Sequence, residues 1–222
     1  YQGFISIHFV VIRRMAHTFF IHHDCSIKNL SVPRATSSRR AGKSIMTTLI
    51  LGGVRSGKSR MAESLAAGFA GRVVYLATAE AKDAEMQKRI ALHRKHRPKH
   101  WETIEEPIRL GRTLSENTSA KDLVVIDCLT LWMTNLLLAD ESFEMGKVEL
   151  EALITEVKRQ RSNLVLVSNE TNSGVIPMNT LSRRFCDEMG VLHQKLAALA
   201  DNVVLMVAGI PTWVKNETNG TI

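Results

Sequence analysis

A glycine-rich segment contains the residues best suited to bind a phosphate group. It runs Gly52-Gly53-Val54-Arg55-Ser56-Gly57-Lys58-Ser59 and fits the pattern G-x-x-x-x-G-K-[ST]. In this pattern the glycines let the backbone bend so that its N–H groups converge on one concavity. We expect Lys58 to reach the terminal phosphates of a nucleotide and the Ser59 hydroxyl to help hold Mg²⁺. These residues predict a nucleotide-phosphate site rather than a turn with a chance lysine.

The elements on either side of this segment have to hold it in place. An apolar run at residues 47–51 predicts a buried strand before it, and residues 60–69 predict a helix after it. The N-terminus of such a helix adds partial positive charge to the concavity. Strand, loop and helix together therefore predict a phosphate cradle.

Asp127 is a second candidate, because it ends an apolar strand predicted at residues 122–127. An acidic residue in this position orients Mg²⁺ in phosphate-loop enzymes. Asp127 also precedes a predicted helix, whose N-terminus an aspartate can cap. The two roles are compatible, so we predict Ser59 and Asp127 as the metal-binding residues.

A basic segment at residues 93–101 carries three histidines, and spacing alone would allow a metal site there. The basic neighbours would repel a cation, and the segment contains no acidic residue. Such a cluster suits a polyanion, and one imidazole could attack a phosphorus atom as a nucleophile. A solvated basic helix face explains the same residues equally well. The titratable members are His93, Arg94, Lys95, His96, Arg97, Lys99 and His100.

A third polar stretch covers residues 169–177, directly after a strand predicted at residues 163–168. A Gly-containing polar loop at the carboxyl end of a strand is a common ligand site in α/β folds. A structural turn is the alternative. Arg183 and Arg184 follow on a predicted helix and could bind phosphate or lie on the surface.

Alternation of strands and helices indicates the fold class. The further strands are predicted at residues 72–78 and 203–207, and further helices at 81–96, 107–114, 129–138, 144–161 and 181–200. This order predicts an α/β fold, a doubly wound and mostly parallel sheet in a single domain. Ligands are then expected at the carboxyl ends of the strands.

Charge is unevenly distributed along the 222 residues. Seven of the 29 Lys and Arg residues but only one of the 22 Asp and Glu residues lie in residues 1–45. The nearly neutral remainder argues against a nucleic-acid partner, which would need a basic face. Residues 1–45 also contain a Ser/Arg/Ala/Gly-rich stretch, so we expect a disordered or non-native extension there and the domain at residues 46–222.

Two absences in the sequence bear on the compartment. No uninterrupted run of 18 apolar residues occurs, so no membrane span is expected. The three cysteines are too few and too scattered for a disulfide framework. We therefore expect a cytoplasmic protein.

The order of these motifs resembles that of one enzyme family, the bifunctional adenosylcobinamide kinase/adenosylcobinamide-phosphate guanylyltransferases of cobalamin (vitamin B12) synthesis. The phosphate loop is shared by many enzymes, whereas two other motifs are more specific. These motifs are His93-x-x-x-Arg97-Pro98-x-His100-Trp101 and Asn169-Glu170 followed by Gly174-Val175-Ile176-Pro177. The resemblance covers about residues 46–215, and it implies a fold of the P-loop nucleoside triphosphate hydrolase type that assembles as a homotrimer.

The resemblance implies two activities. One phosphorylates the hydroxyl of the aminopropanol arm of adenosylcobinamide with ATP or GTP. The other transfers GMP from GTP to adenosylcobinamide phosphate through a covalent histidine–GMP intermediate, giving adenosylcobinamide-GDP and pyrophosphate. In the second activity Mg²⁺ and Lys58 are expected to offset charge on the departing pyrophosphate.

Site residues follow from the same resemblance. It assigns the nucleophile to His93, from the spacing to Arg97-Pro98 and His100-Trp101. It assigns nucleotide contacts, beside the phosphate loop, to Ala77, Thr78, Ala79, Arg94, Lys95, His96, Arg97, Glu105 and Asp127. Four positions depart from the family pattern. Asn172 stands where Gly is usual and His193 where Asn is usual, and Thr171 and Ser173 replace apolar residues.

Two other functions fit parts of the sequence. A phosphate-loop kinase of another small molecule would use the same loop, with His93 an ordinary basic residue and no nucleotidyl transfer. A GTP-hydrolysing switch protein would need a guanine-reading segment of the Asn-Lys-x-Asp type, and the sequence contains none.

Overall fold

Residues 45–80, 87 and 97–216 are described by the computed structural model, and within them the chain forms a seven-stranded sheet. The strands are β1 (Thr47–Gly52), β2 (Val73–Ala77), β3 (Glu102–Glu105), β4 (Leu123–Asp127), β5 (Asn163–Val167), β6 (Asn202–Val207) and β7 (Ile210–Asn216). The helices are α1 (Lys58–Ala67), α2 (Leu110–Asn117), α3 (Leu129–Ala139), α4 (Glu144–Arg159) and α5 (Thr180–Leu199).

The sheet has the strand order β3-β2-β4-β5-β1-β6-β7. All neighbouring pairs are parallel except β6 and β7, which are antiparallel. β1 lies between β5 and β6, and β5 separates it from β4. The segments that follow β1, β4 and β5 therefore meet at one edge of the sheet.

Helices cover both faces of the sheet, which confirms the doubly wound arrangement. Successive residues of β1 show this, since Leu49 packs on one face, Ile50 on the other, and both are fully buried. On the Ile50 face the sheet packs against α1, through residues such as Met61. On the Leu49 face it packs against the other helices, with Trp132 the largest fully buried side chain. Each fully buried aliphatic side chain contributes roughly 1.5–3 kcal/mol to folding.

Five of the seven strands were predicted from their apolar runs, with ends within one or two residues of those observed. β3 and β7, the two edge strands, were not predicted. Their side chains are mostly exposed, so neither strand has the continuous apolar run of the buried strands. Edge strands are held mainly by hydrogen bonds to one neighbour, and these leave little trace in hydrophobic pattern.

Several predictions concern other parts of the chain. An extension was predicted at residues 1–45, and its residues 1–44 lie outside the described residues. So does the predicted helix at residues 81–96, except for Gln87. The helix predicted at residues 107–114 begins slightly later, at Leu110, and ends at Asn117. Across the part of the chain that is described, no helix combines the length and apolarity needed to cross a membrane.

Candidate nucleotide-binding site

The phosphate loop connects β1 to α1 through two glycines that the geometry requires. Gly52 has φ of 150°, and a Cβ atom there would lie 2.5 Å from the Met206 carbonyl oxygen. Gly57 has φ of 99° and precedes the first residue of α1 in the left-handed region. Side chains at these positions would be strained, because L-residues rarely adopt positive φ. The two glycines therefore let the loop turn tightly into the helix.

Lys58 lies folded over the loop that precedes it. Its side-chain Nζ donates a hydrogen bond of 2.7 Å to the Gly53 carbonyl, and the residue is only 8% exposed. Burial lowers the pKa of Lys58, while the nearby Cys128 and Asp127 oppose that shift. The buried Ser56 hydroxyl forms no hydrogen bond to any other described residue. The loop thus offers an ammonium group and a hydroxyl to an anion.

Backbone hydrogen bonds from the segments after β5 and β6 hold the phosphate loop in place. The Gly209 amide, in the turn between β6 and β7, donates to the Ser56 carbonyl at 2.9 Å. The Glu170 amide, just after β5, donates to the Gly52 carbonyl at 3.0 Å. These bonds fix both ends of the loop to the edge of the sheet.

Asp127 and Arg97 are connected through Tyr75. The Tyr75 hydroxyl donates a hydrogen bond of 2.7 Å to Asp127 Oδ2. The Arg97 guanidinium carbon lies 3.5 Å from the centroid of the Tyr75 ring, a cation–π arrangement. Burial, reinforced by the Asp127 charge, raises the pKa of Tyr75, so the phenol stays protonated and continues to donate. Tyr75 therefore orients both residues.

These residues line one cleft of about 650 Å³ at the carboxyl edge of the sheet. Its size is within the range of small-molecule sites. The predicted site residues that line it are Val54, Arg55, Ser56, Gly57, Lys58, Ser59, Ala77, Ala79, Arg97, Glu105 and Asp127.

Three predicted contact residues, Gly52, Gly53 and Thr78, are not among the residues that line the cleft. Thr78 is fully buried, and its hydroxyl donates to the Cys128 carbonyl at 2.8 Å and accepts from the Cys128 amide at 2.9 Å. The structure thus gives Thr78 a role in holding the ends of β2 and β4 together. Gly52 and Gly53 shape the phosphate loop through their backbones.

His93, Arg94, Lys95 and His96 lie outside the described residues, so the nucleophile assigned to His93 stays a prediction. Arg97, which follows them directly, lines the cleft. It also lines an adjoining cleft of about 560 Å³ together with Trp101 and Glu105. The described part of the basic segment therefore begins with Arg97, a residue of the nucleotide cleft.

Several cleft residues were not among the predicted contacts. Tyr75 was assigned only to a strand, whereas Asn169 belongs to the polar loop that was predicted as a candidate ligand site. Cys128, an unpaired thiol, also lines the cleft, and burial raises its pKa to about 11. Cys128 and Asn169 share a signal of position, because each closely follows the end of a parallel strand, whereas Tyr75 lies in the middle of β2.

A mostly parallel sheet with a phosphate loop after β1 and an acidic residue at the end of β4 defines a phosphate-loop nucleotide-binding enzyme. Residues 48–214 match the family of cobinamide kinase / cobinamide phosphate guanyltransferase. The chain belongs to this family.

Close relatives cover the same region over nearly their whole length. The bifunctional adenosylcobalamin biosynthesis protein CobP of Pseudomonas aeruginosa is 50% identical over 172 residues, which are 78% of this chain and 99% of the relative. The bifunctional adenosylcobalamin biosynthesis protein CobU of Salmonella typhimurium is 38% identical over 182 residues, which are 77% of this chain and 100% of the relative. CobU of Escherichia coli gives the same figures, 38% over 182 residues.

Proposed function

We propose that this chain catalyses two successive transfers to a corrinoid. It phosphorylates the aminopropanol hydroxyl of adenosylcobinamide with ATP or GTP, and it then transfers GMP from GTP to the resulting phosphate. The products of the second step are adenosylcobinamide-GDP and pyrophosphate. The observation that carries the proposal is the convergence of the phosphate loop, Lys58 and Asp127 on one cleft, in a chain that belongs to this family.

The first transfer depends on the phosphate loop. The corrinoid hydroxyl oxygen forms a bond to the γ-phosphorus, the bond from that phosphorus to the β,γ-bridging oxygen breaks, and the hydroxyl proton is lost. Lys58 is placed to offset the charge that develops on the departing diphosphate. Its low exposure strengthens this interaction, since charges interact more strongly where water is excluded.

The second transfer uses His93 as the nucleophile. Its neutral imidazole forms a P–N bond to the α-phosphorus of GTP, and the bond to pyrophosphate breaks. An oxygen of the corrinoid phosphate then attacks the same phosphorus, which breaks the P–N bond and frees the histidine. The proposal is supported by Arg97, which belongs to the same basic segment as His93 and lines the cleft.

The cleft also fits a Mg²⁺ ion. The Ser59 hydroxyl and the Asp127 carboxylate both line it, and oxygen ligands of this kind are those that Mg²⁺ prefers. When bound, Mg²⁺ supplies positive charge to the nucleotide phosphates. Tyr75 holds the Asp127 carboxylate in position through the 2.7 Å hydrogen bond.

Labelling with GTP tests this function directly. The protein is incubated with GTP labelled at the α-phosphate and Mg²⁺, then separated by denaturing electrophoresis, with His93→Ala alongside. We expect an acid-labile, base-stable label on the unsubstituted protein alone. If that label were absent while corrinoid phosphorylation was intact, the protein would have the kinase activity alone. Label persisting in His93→Ala would place the nucleophile elsewhere.

We also propose that the chain assembles as a homotrimer. Exposed apolar side chains in the described part of the chain support an assembly surface, since Val175 is 97% exposed and Met178 is 96% exposed. Light scattering coupled to size-exclusion chromatography is expected to give three times the chain mass of 24.8 kDa. A mass equal to one chain would contradict this proposal.

A further inference from the structure

Asn169 occupies a central position at the edge of the cleft. It follows β5, the strand that lies between β1 with its phosphate loop and β4 with Asp127. Val167 of β5 is level with Ile50 of β1 on one side and with Asp127 on the other. Asn169, two residues further on, therefore extends beyond the level of Asp127 and lines the cleft between the two phosphate-binding elements.

The backbone of Asn169 is held by a chain of hydrogen bonds that runs into the protein interior. The Asn169 amide donates to Thr130 Oγ1 of α3 at 2.7 Å. Thr130 Oγ1 lies 3.3 Å from Ser168 Oγ, which lies 2.8 Å from His193 Nε2 of α5. The chain of hydrogen bonds thus connects the cleft to α3 and α5, two helices that pack on the Leu49 face of the sheet.

The donors in this chain have one consistent direction. A backbone N–H can only donate, so Thr130 accepts from Asn169 and keeps its own hydroxyl proton for a further bond. When that proton goes to Ser168, the Ser168 hydroxyl donates to His193, whose Nε2 is then an unprotonated acceptor. The Cys128 thiol also lies beside the Thr130 hydroxyl, but sulfur is a weaker partner than oxygen.

Burial makes this direction hard to change. Ser168 is fully buried and His193 is 7% exposed, so a lost partner could not be replaced by bulk water. Burial lowers the pKa of His193, opposed by the Glu170 charge, which favours the neutral imidazole that the chain needs. The polar side chain of His193 therefore has a specific partner and a specific protonation state.

We propose that His193 is a positioning residue for phosphoryl transfer, which acts through Ser168 and Thr130 to fix Asn169 between the phosphate loop and Asp127. In this position the Asn169 carboxamide is placed to donate a hydrogen bond to the phosphoryl group as it moves from nucleotide to acceptor. Such a contact is formed most strongly in the transition state, so its loss lowers kcat more than it raises KM. The kinetic part of this inference rests on the proposed function.

Kinetic measurements on four variants test the proposal. His193→Phe keeps a ring but removes the acceptor, and Thr130→Val removes the hydroxyl that holds the Asn169 amide. We expect each to lower kcat of corrinoid phosphorylation by about 10-fold or more, with the nucleotide KM within about twofold, because small displacements of a positioned group have large kinetic costs. His193→Gln, which can present an amide oxygen near the Nε2 position, should restore most of kcat. Thr134→Val is the matched control, since among the described residues that hydroxyl bonds only the Thr130 carbonyl, at 3.0 Å.

Amide hydrogen exchange provides a readout that does not need activity. The neighbouring amides of Ser168 and Glu170 are bonded to β1 carbonyls at 2.9 and 3.0 Å, so they serve as internal references. We expect Thr130→Val and His193→Phe to accelerate exchange of the Asn169 amide relative to these two.

Three results would overturn the proposal. These are a normal kcat in His193→Phe, a loss in His193→Gln as large as that in His193→Phe, and equal acceleration at all three amides. If the unsubstituted protein phosphorylated no corrinoid, the proposed function would fail, and the exchange ratios alone would still decide the role of His193.

Discussion

The segments that follow β1 and β5 begin side by side at one edge of the sheet but differ in how they are held. The phosphate loop after β1 is tied to its surroundings through the Ser56 and Gly52 carbonyls, and its lysine is almost fully buried. The segment after β5 is tied to β1 through the Glu170 amide and to α5 through the Asn172 side chain, which donates to the Cys186 carbonyl at 3.0 Å. Beyond that point it exposes apolar side chains, among them Val175 and Met178.

This difference indicates a division of work within the cleft. Phosphate groups carry a similar charge and shape in every nucleotide, so a rigid set of donors can be built for them in advance. Apolar side chains exposed beside such a site need a partner to cover them. The donors for the nucleotide phosphates are therefore held in place before binding. The segment after β5 instead presents exposed apolar side chains to a second ligand or to another protein chain.

The largest effect is expected at Lys58. Lys58→Met keeps most of the side-chain volume and removes the ammonium group, so both transfer rates should fall by about 10³-fold, as when a principal charge-stabilising donor is lost. Steady-state rates for each reaction measure the change. A matched change at the exposed Lys121 should leave both rates unaltered. If Lys58→Met had the same rates as the unsubstituted protein, the phosphate loop would not stabilise the transition states.

Two adjacent glycines test the rigidity of the phosphate loop. Gly52→Ala places a Cβ 2.5 Å from the Met206 carbonyl oxygen at a positive φ, whereas Gly53→Ala meets no atom within 4 Å. We expect the first to lower the free energy of unfolding by about 2–3 kcal/mol and the second to change it by less than about 0.5 kcal/mol. Urea denaturation of both variants provides the measurement. Similar values for the two would show that the loop adapts.

Two valines, one in β5 and one in the segment after it, test which part of this region contributes to stability. Val167 is 1% exposed and Val175 is 97% exposed, and both can be changed to alanine. We expect Val167→Ala to cost about 2 kcal/mol in the free energy of unfolding, because it leaves a cavity between sheet and helix. Val175→Ala should be close to neutral. A large loss at Val175 would show that an assembly already covers this segment.

The smallest effect is a pH dependence of stability from His193. Its pKa is lowered in the folded state by burial, so the unfolded state, with a pKa near 6.5, binds a proton first as the pH falls. Stability from this group is therefore complete above about pH 6.5 and declines below it, down to the folded pKa. We expect the Tm difference between the unsubstituted protein and His193→Gln to shrink between about pH 7 and pH 5. A constant difference would contradict this assignment.

The buried part of the fold could be predicted from the sequence, and the edges could not. Strands such as Leu123–Asp127 are buried on both faces, so they can be recognised in the sequence as continuous apolar runs. β3 contains two exposed glutamates at its ends, and β7 contains Pro211 with mostly exposed neighbours. These strands exist because β2 and β6 offer them hydrogen-bonding partners, which is information about the assembled sheet rather than about the local sequence.

The site divides in a similar way. The phosphate loop is contiguous, so its residues and their spacing could be recognised together. Tyr75 lies in β2, Cys128 follows β4 and Asn169 follows β5, so they meet only through the register of the sheet. Thr78 was assigned to nucleotide binding only through the family resemblance, and the structure adds that its hydroxyl joins β2 to β4. Contiguous chemistry is visible in a sequence, and chemistry assembled by topology is not.

The hydrogen bond from Gly209 to Ser56 also constrains the order of events during synthesis. The phosphate loop leaves the ribosome early, but β1 gains its two neighbouring strands only after β5 and β6 have been made. The turn after β6 then supplies the amide that holds the loop. A nascent chain that has already exposed its entire nucleotide motif thus cannot yet form the finished site. Nucleotide binding during translation would report that the β6–β7 hairpin has emerged and docked.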